Sequence, residues 1–394
     1  MMKMKRTADR RRQHGTSRMV RPGWVLLPVA GFLLALVMLW PSPANAASLE
    51  PASFSGDPIH APAIAVLHPD QVLLETVTMA GPRLVAGGEH GVIIVSDDDG
   101  MSWRQVATPV DVTIDQIRFA VARTGWAVGE FGVVLKTQDG GLTWTRQLDG
   151  VQAAQLMLSS AEQIAAANPT DPLAAKHVRH AKLFVGDGPD KPFFLVQIFD
   201  SQHVRIYGAY GMAFETLDGG AHWTDWSSHI ADPGYLHPYG LVEKAGVILI
   251  AGEQGMLLSG PENGPIKPMS ASPYHGSFFG VLLTPDGGLV AYGLQGNVFE
   301  SKDFGATWTQ VANPSQSTIN CAALTTDGHV LIGDWDGNVS LVDGAKVVMP
   351  GTNAGFPIAD MMEAPDQSLI MVGISGVKRG AANIWQAGLT GTKS

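Results

Sequence analysis

Cysteine is almost absent. Cys321 is the only one in 394 residues, so no disulfide can form within the chain and its stability must come from packing. With Asn320 before it and Ala322-Ala323-Leu324 after, Cys321 reads as a buried small hydrophobe rather than a nucleophile. Long apolar runs are equally scarce, the one candidate being Trp24 to Trp40. Eight basic residues precede it and Ala44-Asn45-Ala46 follows, the arrangement of a secretory signal peptide cleaved after Ala46. The alternative is an uncleaved inner-membrane anchor through residues 24–40, a run of about 17 residues and so at the short limit for a bilayer. Either way the body of the chain is expected outside the cytoplasm, in the periplasm. Basic charge is the third shortage. Eight of the 26 Lys and Arg but only one of the 36 acids, Asp9, precede residue 47, which leaves 18 against 35 in the remainder. That balance disfavours nucleic acid and anionic lipid surfaces as partners, since both need basic clusters.

What is abundant is glycine, 46 residues, and much of it is periodic. A G-x-x-G step recurs at Gly88, Gly129, Gly208, Gly252, Gly293 and Gly373, with a longer form at Gly333-Asp334-Trp335-Asp336-Gly337. The intervals are 41, 79, 44, 41, 40 and 40 residues. Short β-like runs such as Leu84-Val85-Ala86 and Val92-Ile93-Ile94-Val95 flank each step. Several short strands per forty residues is the pattern of a propeller blade. The fold class is therefore all-β, a seven-bladed β-propeller over residues 47–394, with six blades the alternative count. Closure is expected from residues around Ala52–Leu67.

Four copies of S/T-x-D-x-G-x-S/T-W follow the third strand of their blades, ending at Trp103, Trp144, Trp223 and Trp308, with His222 replacing Ser or Thr in the third. These are Asp-box repeats. Asp99, Asp139, Asp218 and Asp303 are expected to staple the turns by accepting backbone N–H bonds. Gly100, Gly141, Gly220 and Gly305 supply the conformation other residues avoid, and the tryptophans bury against the turn. Calcium or acid catalysis is the competing use of such aspartates. It requires convergence on one ligand, and one aspartate per outward hairpin does not converge.

The paired G-x-x-G and D-G-G-x-x-W elements, as in Val128–Trp144, resemble the photosystem II stability/assembly factor family and its bacterial, non-photosynthetic relatives over about residues 64–390. That resemblance implies a seven-bladed, non-enzymatic scaffold that binds membrane proteins. Photosynthetic members carry an arginine-rich patch, whereas the eight arginines after residue 46 are scattered. The implied client is thus an envelope membrane complex, with an RND-type exporter the first candidate. Sialidases share the Asp box, but no arginine triad or Tyr–Glu pair is recognisable, so neither catalytic residues nor cofactors are expected. A glycan-active hydrolase or a carbohydrate-binding propeller remains the alternative. Its residues would be Glu89, His90, Glu130, Glu253 and Asp334, which follow the first glycine of their steps.

The 79-residue interval is not a blade. Segment 149–192 is rich in helix formers and broken at Asn168-Pro169-Thr170-Asp171-Pro172, which predicts a helical hairpin inserted between blades 2 and 3. Leu156, Met157, Ile164, His177 and His180 are its candidate partner-binding residues, docking on the ring being the other use of the hairpin. The i, i+3 histidines have no third ligand nearby, so no metal site is assigned.

Overall fold

The computed structural model describes residues 56–384 apart from Pro233 and Ala271. The signal segment at 1–46 and the anchor alternative at 24–40 lie outside the described residues. Among those described, no helix is long and apolar enough to cross a membrane.

Among the described residues, seven antiparallel sheets follow one another along the chain, six of four strands and the last of three. Each is a meander whose innermost strand comes first: Leu74–Ala80, Ile114–Val121, Phe193–Ile198, Pro238–Lys244, Phe278–Leu283, Ile319–Leu324 and Ile358–Glu363. Each inner strand packs against the next, and Ile358–Glu363 packs against Leu74–Ala80, so the seven blades close into a ring. Consecutive turns of a meander alternate between its ends. The G-x-x-G steps and the connections between blades therefore share one end of the ring, and the Asp boxes lie at the other.

The glycine steps mark a close approach of two backbones. A Cβ on Gly129 would sit 2.0 Å from the carbonyl oxygen of Thr113, and one on Gly91, at φ +67, would sit 2.0 Å from that of Val110. At Gly129 this lets the incoming inner strand of the same blade pass over the second strand, and at Gly91 it lets the chain leading into the next blade pass, closer than a Cβ allows.

Ring closure differs from the expectation. Residues 56–67, the described part of Ala52–Leu67, add no strand to the last sheet. They run along the outer edge of the first one: Val66 N donates to Gln105 Oε1 at 2.9 Å, and Gln105 Nε2 donates to the Ile64 carbonyl at 2.7 Å. Ile59, 1% exposed, fills the seam between blades 1 and 2. Burial in that seam outweighs pairing with a distant edge. Blades 7 and 1 are joined by side chains instead, with Ile370 and Val372 packed among Leu74, Leu84 and Ile94. Val77 N donates to Asp360 Oδ2 at 3.0 Å, and Arg379 Nε donates to the Asp99 carbonyl at 2.9 Å.

The Asp boxes staple their turns, with one shift of register. Asp139 Oδ1 accepts from Leu142 N and Thr143 N at 3.0 and 2.9 Å, Oδ2 accepts from Thr143 Oγ1 at 2.7 Å, and Thr137 Oγ1 accepts from Gly141 N at 3.0 Å. Asp218 and Asp303 bind in the same way, His222 Nδ1 taking the hydroxyl's place at 2.6 Å. In the first box the stapling residue is Asp98 and not Asp99, because Asp98 is two residues after the serine. Asp98 accepts from Ser102 N at 2.9 Å and Ser102 Oγ at 2.5 Å. Asp99 sits at φ 56, where Gly140 and Gly219 sit in later boxes. Trp144 donates Nε1 to the Gly141 carbonyl at 3.1 Å and fills the seam between blades 1 and 2. Trp223 fills the next seam, and Trp103 and Trp308 pack against theirs.

This register gives a test. Hydrogen bonds from Ser102 hold the Asp98 carboxyl down at about 2, and those from the His222 backbone and ring do the same for Asp218. A depressed folded-state pKa contributes stability that is complete above the ordinary carboxylate range and lost as pH falls through about 2. Asp98→Ala is expected to lower the melting temperature and flatten its decline in acid. Asp99→Gly, which suits the left-handed position, leaves both unchanged or raises the melting temperature. Differential scanning fluorimetry across pH reads both, and the reverse order would restore Asp99 as the staple.

Segment 149–192 holds α1, Gly150–Ala167, and α2, Pro172–Asp187. Asp149 opens α1 with a capping box, its side chain accepting from Gln152 N at 3.0 Å while Gln152 Oε1 accepts from Asp149 N at 3.2 Å. Asp171 caps α2, and Pro172 takes the position where a missing N–H does no harm. Ala153, Ala154, Met157, Ala161, Ala181 and Phe184 share one core with Trp126, Val204 and Phe214 of blades 2 and 3. The hairpin is docked on the ring.

Candidate functional site

The channel along the ring axis encloses a cavity of about 590 Å³, within the usual size of a ligand site. Its lining is set by a feature repeated in all seven blades. Pairing between the inner strand and its neighbour slips at the strand's second residue, leaving a bulge at Glu75, Asp115, Phe194, Tyr239, Phe279, Asn320 and Ala359. A bulge re-aims a side chain out of the sheet, and all seven of these residues line the cavity.

This layer has an acidic and an aromatic sector, with Asn320 and Ala359 between them. Blades 1 and 2 contribute carboxylates, and blades 3 to 5 contribute rings, with Phe194 and Tyr239 centroids 5.5 Å apart and Tyr239 and Phe279 5.6 Å apart. Burial pushes the Asp115 carboxyl well above its ordinary range, and the charges of Glu130 and Glu75 add to the effect. Burial likewise raises Glu75, reinforced by Glu130, Asp360 and Glu89. Neither Glu75 nor Asp115 has a hydrogen-bond or salt-bridge partner among the described residues. One layer deeper, Asp360 is raised by burial although Arg118 opposes the shift, and it accepts from Val77 N and Met361 N. At the rim, Trp335 is 62% and Ile374 59% exposed, and both line the cavity.

The residues expected from the glycine steps divide accordingly. Glu89 and Glu130 stand close enough to Glu75 to repel it. His90 instead pairs with Asp111 at 2.9 Å, and Glu253 accepts from His237 N at 3.3 Å. Asp334 accepts from Asn338 N at 2.8 Å and works as a turn staple. The bulged layer itself escaped sequence reading, because its seven positions share a place in the fold and no residue type. Cys321 is buried, and that burial drives its thiol well above the ordinary range, the opposite of an activated nucleophile.

Of the hairpin's candidate partner-binding residues, Met157, Leu156 and His180 pack on the ring itself. Met157 is 6% exposed inside the shared core and Leu156 packs against it. His180 Nε2 meets the Tyr210 carbonyl at 3.1 Å and its ring stacks on Tyr235 at 4.0 Å. Ile164 and His177 border a cleft of about 50 Å³ between hairpin and blade 3. The large apolar residues that α1 and α2 leave in solvent are Val151, Leu173, Leu183 and Val185. Hydrophobic residues on a hairpin next to a ring seam go first to the seam. Among the described residues no three His, Cys, Asp or Glu gather closely enough to hold a metal ion.

Residues 82–166, which span the first two Asp boxes, match the family described as photosynthesis system II assembly factor YCF48. The chain is a β-propeller resembling that family. A solved structure described as YCF48 bound to D1 peptide is 15% identical and superposes with a TM-score of 0.58, covering 82% of this chain and all of that one. YCF48 from Cyanidioschyzon merolae is 14% identical, with a TM-score of 0.57 over 80% of this chain and 97% of that one. Virginiamycin B lyase from Staphylococcus aureus is 8% identical, with a TM-score of 0.58 over 81% of this chain and 97% of that one. At these identities the structural likeness shows the propeller fold, which assembly factors and lyases share. No curated protein sequence matches the chain.

The carboxylates of the bulged layer yield a prediction on stability. An acid whose folded-state pKa is raised subtracts stability as pH rises through its unfolded value, and the penalty is complete above the folded one. Asp115→Asn is therefore expected to raise the melting temperature near neutrality and to give no gain below the ordinary carboxylate range. A variant less stable than the parent at neutral pH would mean that the carboxylate has a partner in the fold.

Proposed function

We propose that the chain is a non-enzymatic scaffold or assembly factor, exported to the periplasm by its N-terminal segment, that binds a membrane protein complex of the cell envelope. An RND-type exporter is the partner proposed. The observation that carries this reading is the funnel rim, where Trp335 and Ile374 stand exposed beside a half-acidic channel. Exposed large apolar residues around a concave opening are characteristic of a protein-binding surface. The match of residues 82–166 to an assembly-factor family supports it, as does the structure of a YCF48 that holds a D1 peptide. Mild cross-linking in cells followed by purification of the tagged chain tests the proposal. The expected result is a membrane protein recovered in constant ratio with the chain. Recovery of the chain only as a free monomer from the soluble fraction would overturn it.

A second reading, a glycan-active hydrolase, draws on the buried carboxyls, since a raised carboxyl in a cleft is what a general acid requires. Turnover of sialosides or other glycosides that disappears in Asp115→Asn would favour it over the scaffold.

A further inference from the structure

We propose that the funnel is a receptor for a lysine or arginine side chain carried on an apolar peptide segment of the partner, the cation lying against Glu75 and Asp115, its stem against Phe194, Tyr239 and Phe279, and a flanking apolar residue against Trp335. This rests on the scaffold reading and specifies what the funnel holds. Three independent observations combine in it. The first is the cavity of about 590 Å³, enough for a long side chain together with backbone on either side.

The second is the uncompensated charge within that cavity. Asp115 and Glu75 have no donor or cation of their own, and the charges acting on Asp115 are both acidic, Glu130 and Glu75. Arg118 also lines the cavity, but it donates to the Ile117 carbonyl at 3.0 Å and its charge acts on Asp360, with no effect on Glu75 or Asp115. Half-buried carboxylates without partners weaken the fold, and a cation entering from outside reverses that. A metal ion is the wrong cation, since no three ligating side chains converge among the described residues. An organic cation suits the opposite wall, because rings stabilise ammonium and guanidinium groups over their faces and shelter the methylene stem.

The third observation is Trp335, 62% exposed at the rim and on the opposite side of the funnel from the blade 2 carboxylate. A free polyamine has no group to cover it. A peptide with an apolar residue beside its lysine does.

Fluorescence anisotropy with a labelled hexapeptide, one lysine flanked by leucines, tests the proposal against the same peptide carrying norleucine or glutamate. The lysine peptide is expected to bind at least about tenfold more tightly than either. The double variant Glu75→Gln/Asp115→Asn should lose about tenfold, and Trp335→Ala several-fold, while Glu162→Gln on the exposed side of the hairpin changes nothing. Misfolding does not confuse the result, because the double variant is expected to melt higher than the parent at neutral pH. Equal binding of the norleucine peptide, or undiminished binding by the double variant, would overturn the proposal. Competition by spermidine at concentrations equal to the peptide would overturn it as well and assign the site to a free amine. A chain that co-purifies with a membrane protein yet ignores the lysine peptide refutes this inference alone and leaves the scaffold reading in place.

Discussion

Replacing Arg205 with alanine is expected to destabilise the protein by about 3–5 kcal/mol, the usual consequence of removing one member of a buried ion pair. The Arg205 side chain is 1% exposed and reaches Glu215 Oε1 through Nη2 at 2.6 Å and Nε at 3.2 Å. Nη1 donates to the carbonyl of Glu262 in blade 4 at 3.1 Å, and the guanidinium lies 3.7 Å from the Trp226 ring centre. One side chain thus ties blade 3 to blade 4. Burial pushes the Glu215 carboxyl up, but hydrogen bonds from Arg205 and His203 outweigh it and hold the group below its ordinary range. Alanine leaves Glu215 half-buried without its main cation, and it opens a void beside Trp226. Arg205→Lys should recover little, since an ammonium cannot bridge two acceptors in a plane while stacking on an indole. Urea denaturation with an unchanged slope reads the loss. A change below about 1 kcal/mol would show that the pair is no more than a surface contact.

Phe184→Ala is the second large effect, again about 3–5 kcal/mol, as for other buried phenylalanines truncated in a core. Phe184 is 4% exposed, meets the His180 ring edge-on at 4.8 Å, and belongs to the cluster that holds Trp126 and Phe214 of the ring. Its neighbour Leu183 is 62% exposed. Leu183→Ala should stay within about 0.5 kcal/mol. The contrast tests whether the hairpin is part of the folded ring. If both variants behaved like Leu183→Ala, the hairpin would be only loosely seated, and its inner face would again be free for a partner.

The ring was legible in the sequence because its constraints recur. Six of the seven blades have a glycine where two backbones cross, as at Gly129, and four close the outer turn with an acid two residues after a Ser or Thr, as at Asp139. Repetition at about forty residues made both visible. The first box misled because Asp97, Asp98 and Asp99 stand in a row and only the hydrogen bonds single out Asp98. The hairpin helices were readable from their helix formers and from the break at Asn168-Pro169-Thr170-Asp171-Pro172, whose effects are local. Their docking was not, because Met157 looks the same in a sequence whether it meets blade 2 or another protein. The bulged layer was invisible for the complementary reason. Glu75, Asp115 and Phe194 hold one position in three blades, but each has a different chemistry, and their convergence depends on ring closure. Glu89 and Glu130 were picked out from the glycine steps, yet the acids that line the cavity are Glu75, Asp115 and Asp360.

Site-specific photocross-linking from the funnel rim tests the central claim most directly. A photoreactive phenylalanine analogue replaces Trp335 in one strain and, in another, Leu217, which is 68% exposed in an Asp box at the opposite end of the ring. If the funnel end receives a membrane protein, irradiation of cells gives a membrane-protein adduct from position 335 and none from position 217. Adducts from position 217 alone, or no adduct from 335 in cells where the untagged chain remains functional, would contradict the claim that this end of the propeller is where the partner binds.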